Sequence, residues 1–170
     1  MKGVGQLFPH YTLNGIASNN NFVEVDLGPN YNWKVIYFYP KDFTFICPTE
    51  IVGFDEIAIK TDAHVIGISG DNEFCKLAWK ESNTALGNIH HTLCHDGGLM
   101  LADMLGIVDG DNGVAYRATF IVDPDNTIQH VSCNALDTGR STKEVLRTLH
   151  ALQAGGLTGC SWETGEDFVA

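Results

Sequence analysis

Two rhythms of apolar residues alternate along the chain. Val35-Ile36-Tyr37-Phe38-Tyr39 is an unbroken apolar run within Trp33–Tyr39, which predicts a strand covered on both faces. From Thr49 to about Asp62, Ile51, Phe54, Ile57 and Ala58 recur at helical spacing. Val65-Ile66-Gly67-Ile68 predicts a second buried strand. A helix over about Asn72 to Leu86 follows, with Phe74, Leu77, Ala78 and Trp79 as its apolar residues. His91–Asp96 reads as a strand and Leu99–Leu105 as a short helix after Gly97-Gly98. Val114–Val122 reads as an apolar strand interrupted by Arg117. Asp123-Pro124-Asp125-Asn126 then turns the chain into a returning strand, Thr127–Cys133. Ser141-x-x-Glu144 is a capping box opening a last helix lined by Val145, Leu149 and Leu152, and Gly155-Gly156 ends it. Before all of these, residues 3–27 mix turns with short alternations such as Phe22-Val23-Glu24-Val25, which predict one or two edge strands. Strands alternating with helices and closing on a hairpin predict an α/β fold with a central mixed sheet flanked by helices. No repeat or linker is visible, so residues 1–156 are expected to form one domain, with 157–170 as a polar, mobile C-terminal tail.

The first strand meets the first helix at Pro40-Lys41-Asp42-Phe43-Thr44-Phe45-Ile46-Cys47-Pro48-Thr49-Glu50. Pro48 belongs in the first turn of a helix, where its missing N–H is no loss. Cys47 is therefore expected at the helix N-terminus, as cap or first-turn residue, with Thr44 the alternative cap. Residues before proline avoid the α region, which favours Cys47 as the boundary. Free backbone N–H groups and the helix dipole stabilise an anion there, and the anionic thiolate is the reactive form of cysteine. Thr44 can place a hydroxyl beside the sulfur or a substrate oxygen, and Pro40 can shield the sulfur from water. The competing reading is an inert cysteine buried under a helix.

Charge and cysteine usage narrow the field. A net charge of −11 disfavours a sequence-independent grip on nucleic acid or anionic lipid. No apolar stretch approaches the roughly 20 residues of a membrane span, and no signal-peptide core follows Met1, so a cytoplasmic protein is expected. The five cysteines, Cys47, Cys75, Cys94, Cys133 and Cys160, form neither a C-x-x-C pair nor a zinc spacing, and an odd number argues against a disulfide framework. Cys75 reads as core or helix-interface filler. His90, His91 and His95 raise a metal hypothesis, but nothing in the pattern completes a site, and hydrogen-bonded histidines are the plainer reading. No metal and no cofactor are expected. Arg117 reads either as an exposed strand residue or as a cation beside the thiolate, and Arg140 as a loop arginine or part of a site.

Pro40…Thr44…Cys47 is the Pro-x-x-x-Thr-x-x-Cys pattern, and the run from Phe38 to Ile51 resembles the typical two-cysteine peroxiredoxins of the bacterial alkyl hydroperoxide reductase kind. Leu77-Ala78-Trp79, Arg117–Asp123, Gly139-Arg140-Ser141 and Cys160-Ser161-Trp162 fall in that family's order and spacing. The resemblance implies a thioredoxin-like fold and a thiol-dependent peroxidase acting on hydrogen peroxide and organic hydroperoxides in antioxidant defence. It implies that Cys47 becomes a sulfenic acid, that Arg117 steadies the thiolate and orients the peroxide, and that Thr44 hydrogen-bonds and Pro40 screens it. Glu50 and Arg140 resemble the pair that holds the catalytic arginine. Cys160 is implied as the resolving thiol, forming a disulfide across subunits of a homodimer that assembles into a ring of dimers. Thr158 and Ser161 beside it depart from the Cys-Pro of many relatives, leaving open whether a thioredoxin-like or a flavoprotein reductase serves. Cys94 and Cys133 match no family role and read as buried structural thiols. A general thiol–disulfide oxidoreductase would use C-x-x-C, which is absent. A peroxide sensor or holdase would accompany catalysis, and an inert scaffold would require Cys47 to be unreactive.

Overall fold

In the computed structural model, which describes residues 1–170, the chain divides into two compact units, Met1–Arg140 and Ser141–Ala170. The first is built on a seven-stranded sheet. Its strands are β1 (Thr12–Ile16), β2 (Phe22–Asp26), β3 (Lys34–Phe38), β4 (His64–Ser69), β5 (Thr92–His95), β8 (Arg117–Val122) and β9 (Ile128–Asn134), in the order β2-β1-β5-β4-β3-β8-β9. The strands β3, β4 and β5 run parallel, while β1, β2, β8 and β9 join antiparallel, so the sheet is mixed as expected. Parallel neighbours need crossovers. Helix α1 (Cys47–Lys60) connects β3 to β4, and α2 (Glu73–Ser82) connects β4 to β5.

Every residue of β3 and β8 is buried, including Lys34 and Arg117 at their starts and Thr119, which accounts for the otherwise apolar composition of both strands. On one face of the sheet Ile36, Phe38, Ile66, Ile68 and Phe120 join Phe8, Leu27 and the short helix α3 (Met100–Leu105) through Leu101 and Leu105. On the other face Tyr37 stacks on Phe54 of α1, ring centroids 3.9 Å apart, with Ile51 and Ile57 of α1 also buried.

Several local expectations are corrected. The apolar run 114–122 breaks at Tyr116, not at Arg117. Val114–Ala115 forms β7, paired with β6 (Val108–Asp109) in a separate ribbon, and Arg117 opens β8. An apolar run does not reveal where a strand changes partners. Helix α2 stops at Ser82, four residues short of Leu86, because Asn83 leaves the helix extended and its side chain accepts from Ala85 N. Its buried face is also not the apolar one: Lys76, Trp79 and Lys80 are buried while Phe74 and Ala78 are exposed.

The second unit comprises α4 (Thr142–Ala154) and the residues after it. Ser141 caps α4 by accepting from Glu144 N, and Gly155, at φ 71°, ends it in the left-handed conformation glycine tolerates. Beyond the helix, Trp162 stacks on Phe168, Arg147 donates to Trp162 O, and Val169 N donates to Leu157 O. No helix of the chain is long and apolar enough to cross a membrane.

Candidate active site

The site lies where the parallel strands end, the usual place for chemistry in such sheets. Strand β3 delivers the chain at Phe38 to the loop 39–46, and α1 begins on Cys47 with Pro48 in its first turn. Ile46 is the cap residue and makes no side-chain cap bond, so neither Thr44 nor Cys47 fills that role. Strand β8 runs antiparallel to β3, with Tyr37 opposite Thr119 and Lys34 opposite Val122. That register brings the start of β8, and with it Arg117, level with the end of β3.

Cys47 is fully buried, and Arg117 Nη1 donates to its sulfur at 3.3 Å. Arg117 is itself buried and fixed on two further sides: Nη1 donates to Glu50 Oε2 at 2.8 Å and Nε to Leu136 O at 2.7 Å. Burial alone would lower the pKa of Arg117, yet the hydrogen bond to Cys47 and the charge of Glu50 outweigh it and raise the value. Arg140 grips Glu50 with a fork, Nε to Oε1 at 2.9 Å and Nη2 to Oε2 at 2.7 Å, and its backbone N adds a third bond at 3.0 Å. Burial pushes the Glu50 carboxyl up, but Arg140 and then Arg117 pull it below its ordinary value. The Arg140 guanidinium also lies over the rings of Phe54 and Tyr37, at 5.1 and 5.4 Å. Arg117, Glu50 and Arg140 thus form one rigid unit, with Cys47 at its open end.

Pro40, Thr44, Cys47 and Arg117 line one pocket of about 200 Å³, together with Lys41, Asn112, Val114 and Leu136. The Thr44 hydroxyl donates to Lys41 O at 2.8 Å, which spends its hydrogen and leaves the oxygen to accept. A donor-rich guanidinium, an acceptor hydroxyl and a sulfur around a small cavity suit a ligand with one O–H and one oxygen that gains negative charge.

Cys160, the remaining sequence candidate, is exposed in the second unit. Among the other thiols, Cys94 is buried and pushed up to about 12 by that burial, which makes it inert. Cys75 and Cys133 are also raised, chiefly by burial, and Cys133 is exposed at its surface, not enclosed as expected. The histidines diverge to different carboxylates. His90 and His91 both bond Asp55, and His95 pairs with Glu73, the hydrogen-bonded reading of these residues. Sequence reasoning missed the Leu136 carbonyl, which carries no side-chain signal, and Lys41 and Val114 as pocket walls.

Residues 4–131 match the AhpC/TSA family. The chain belongs to that family. As a peroxiredoxin it is a thiol-dependent peroxidase, and its mixed sheet with flanking helices is the thioredoxin-like arrangement. Alkyl hydroperoxide reductase C of Mycolicibacterium smegmatis is 38% identical over 98% of this chain and 92% of its own length. Peroxiredoxin-1 of Gekko japonicus is 35% identical, covering 98% of this chain and 89% of its own. Among solved structures, a reduced 2-Cys peroxiredoxin of Plasmodium vivax superposes with a TM-score of 0.91 at 31% identity, covering 98% of this peroxiredoxin and 92% of that chain. Mycobacterium tuberculosis AhpC superposes with a TM-score of 0.82 at 36% identity, covering 90% and 99%.

Proposed function

We propose that Cys47 is the nucleophile that reduces hydrogen peroxide and organic hydroperoxides. The observation that carries this reading is the 3.3 Å bond from a pinned Arg117 to the Cys47 sulfur. The thiolate attacks the terminal oxygen of R–O–O–H in line, the S–O bond forms as the O–O bond breaks, and the electron pair leaves on RO⁻, which takes a proton to become ROH. Cys47 is left as sulfenic acid. Arg117 steadies the attacking sulfur and donates to the oxygen on which charge develops, Thr44 accepts from the peroxide O–H, and Pro40 keeps water from the sulfur. Glu50 and Arg140 act through Arg117 as positioning residues.

Residues 157–170 serve as the resolving arm. The Cys160 thiol attacks the Cys47 sulfenic acid, forming an S–S bond and releasing water. Disulfide geometry requires the two Cα atoms within about 7 Å, so the start of α1 unwinds locally to present Cys47. The partner sulfur belongs to the second subunit of a homodimer, and dimers assemble into a ring. A thioredoxin-like or flavoprotein reductase returns the disulfide to thiols, and the protein works in the cytoplasm. Cys47→Ser should abolish peroxide consumption, and peroxide-treated wild type should run as a dithiothreitol-reversible dimer on non-reducing gels. A Cys47→Ser protein retaining a tenth of the activity would refute the nucleophile. A peroxide-treated Cys160→Ser protein still forming the disulfide dimer would refute the resolving thiol.

A further inference from the structure

The Cys47 pocket does not end at Cys47. A second pocket of about 330 Å³ adjoins it, and Pro40, Lys41 and Val114 are walls of both. Hydrogen peroxide is little larger than water, whose share of liquid volume is roughly 30 Å³, so this space is far more than the smallest substrate needs. Its lining is suited to an organic substituent. Leu99 and Val114 supply apolar surface, and Gly70, Gly98 and Gly113 leave it open. At Gly70 a Cβ would lie only 3.0 Å from Leu99 Cδ2, so a side chain there would crowd the wall.

Two charged residues border the space, and they differ in what they have left to offer. Asp71 is committed to the protein, with Oδ2 accepting from Asp42 N at 2.8 Å and from Ser69 Oγ at 3.1 Å. Lys41 is exposed and enters no ion pair, while the other bases near Cys47, Arg117, Arg140 and Lys76, all face carboxylates. In a chain of net charge −11, an unpartnered cation at the junction of the two pockets is a local exception.

We propose that this second pocket is a substituent subsite, and that Lys41 makes it selective for organic hydroperoxides carrying a carboxylate. The apolar part of such a substrate lies against Leu99 and Val114, its peroxide reaches Cys47, and its carboxylate meets the Lys41 ammonium. The inference rests on Cys47 being the nucleophile and adds the substrate class.

The test compares para-carboxycumene hydroperoxide with its methyl ester, which differ in charge and little in shape. The readout is the ratio of their kcat/KM values, in which any general effect on Cys47 cancels. Wild type should favour the acid by roughly threefold to tenfold, the range between an exposed ion pair and a charge-assisted hydrogen bond. Lys41→Gln should bring the ratio to about one, and Lys41→Arg should keep it above one. A wild-type ratio at or below one, or a ratio unmoved by Lys41→Gln, overturns the subsite. A Cys47→Ser protein that still consumes either hydroperoxide would instead overturn the nucleophile assignment, so the two failures are separable.

Discussion

Around the loop before Cys47, the Lys76 ammonium meets Ser69 Oγ at 2.6 Å, the Tyr39 oxygen at 3.0 Å and Asp42 Oδ1 at 3.3 Å. Downstream, Arg117 and Arg140 share Glu50. Both clusters bury charge near Cys47, the first tying the loop 39–46 to α2 through Asp42 and Lys76, the second tying α1 to β8 through Glu50 and Arg117. They differ in what remains unspent. The three ammonium hydrogens of Lys76 all find oxygens, and neither its side chain nor that of Asp42 has any exposure. Arg117 spends Nε and Nη1 on Leu136, Glu50 and Cys47, and its remaining nitrogen, Nη2, has no protein partner while the residue lines the Cys47 pocket. Burial of charge is therefore common to both clusters, and an unfilled donor beside a cavity distinguishes the second. On the proposed function, the first cluster holds the loop and the second serves the chemistry.

That distinction predicts opposite signatures. Lys76→Met leaves Asp42 buried without its cation and should cost about 3–5 kcal/mol of stability, read from the denaturant midpoint. Adding Asp42→Asn should restore most of the loss, because a pair replaced together avoids the orphaned charge. Arg117→Ala should act the other way round. Stability changes less, since Arg140 still grips Glu50 with its fork. The kcat/KM for peroxide should fall about 100- to 1000-fold, the ~2.7–4 kcal/mol typical of a lost donor to developing oxyanion charge. If Lys76→Met lost as much rate per folded molecule as Arg117→Ala, the two clusters would not be distinct.

A third anchor sharpens the contrast along α1 itself. Asp55 lies between His90 and His91, and His91 also bonds the Tyr37 hydroxyl. Burial works to raise the Asp55 carboxyl, but the hydrogen bonds from the two histidines prevail and bring it to about 2. With an ordinary value of 3.8, the full shift corresponds to about 2.5 kcal/mol of stability. Solvent around the exposed His90 ring screens this to roughly half. The contribution is present above pH ~4 and lost as pH falls through about 2. Burial lowers His91 below 6.5 despite the pull of Asp55, so its contribution begins to fade earlier, below pH ~6.5. Urea midpoints measured from pH 7 to pH 3 should fall throughout, and Asp55→Asn should flatten the acid end. A smaller effect is expected at the back of the site. Arg140→Lys replaces a fork with a point donor and should slow peroxide reduction about tenfold while Cys47 still reacts.

How much of this was legible follows from what each residue does locally. The Cys47 junction was readable because a buried strand, a loop and a proline each leave a local mark. Glu50 was within reach because it lies three residues further along the same helix. Arg117 was undecidable from its own surroundings: its position depends on an antiparallel register between strands some 80 residues apart in the chain. Nothing in the local sequence singled out Lys76. Helical spacing counted Phe74 and Ala78 with Trp79 as the helix's apolar residues, whereas both are exposed and Lys76 and Lys80 are buried beside Trp79. Apolar periodicity finds faces that pack against apolar neighbours, and it fails where the neighbour is a buried carboxylate.

The central claim is that the Arg117 guanidinium makes Cys47 reactive. The direct measurement is the rate of Cys47 alkylation by iodoacetamide at pH 6 in wild type and Arg117→Ala, with the modified residue identified by mass spectrometry. Wild-type Cys47 should be modified rapidly and ahead of buried Cys94, and the variant should be slowed at least tenfold at this pH. Equal rates in the two proteins would contradict the account.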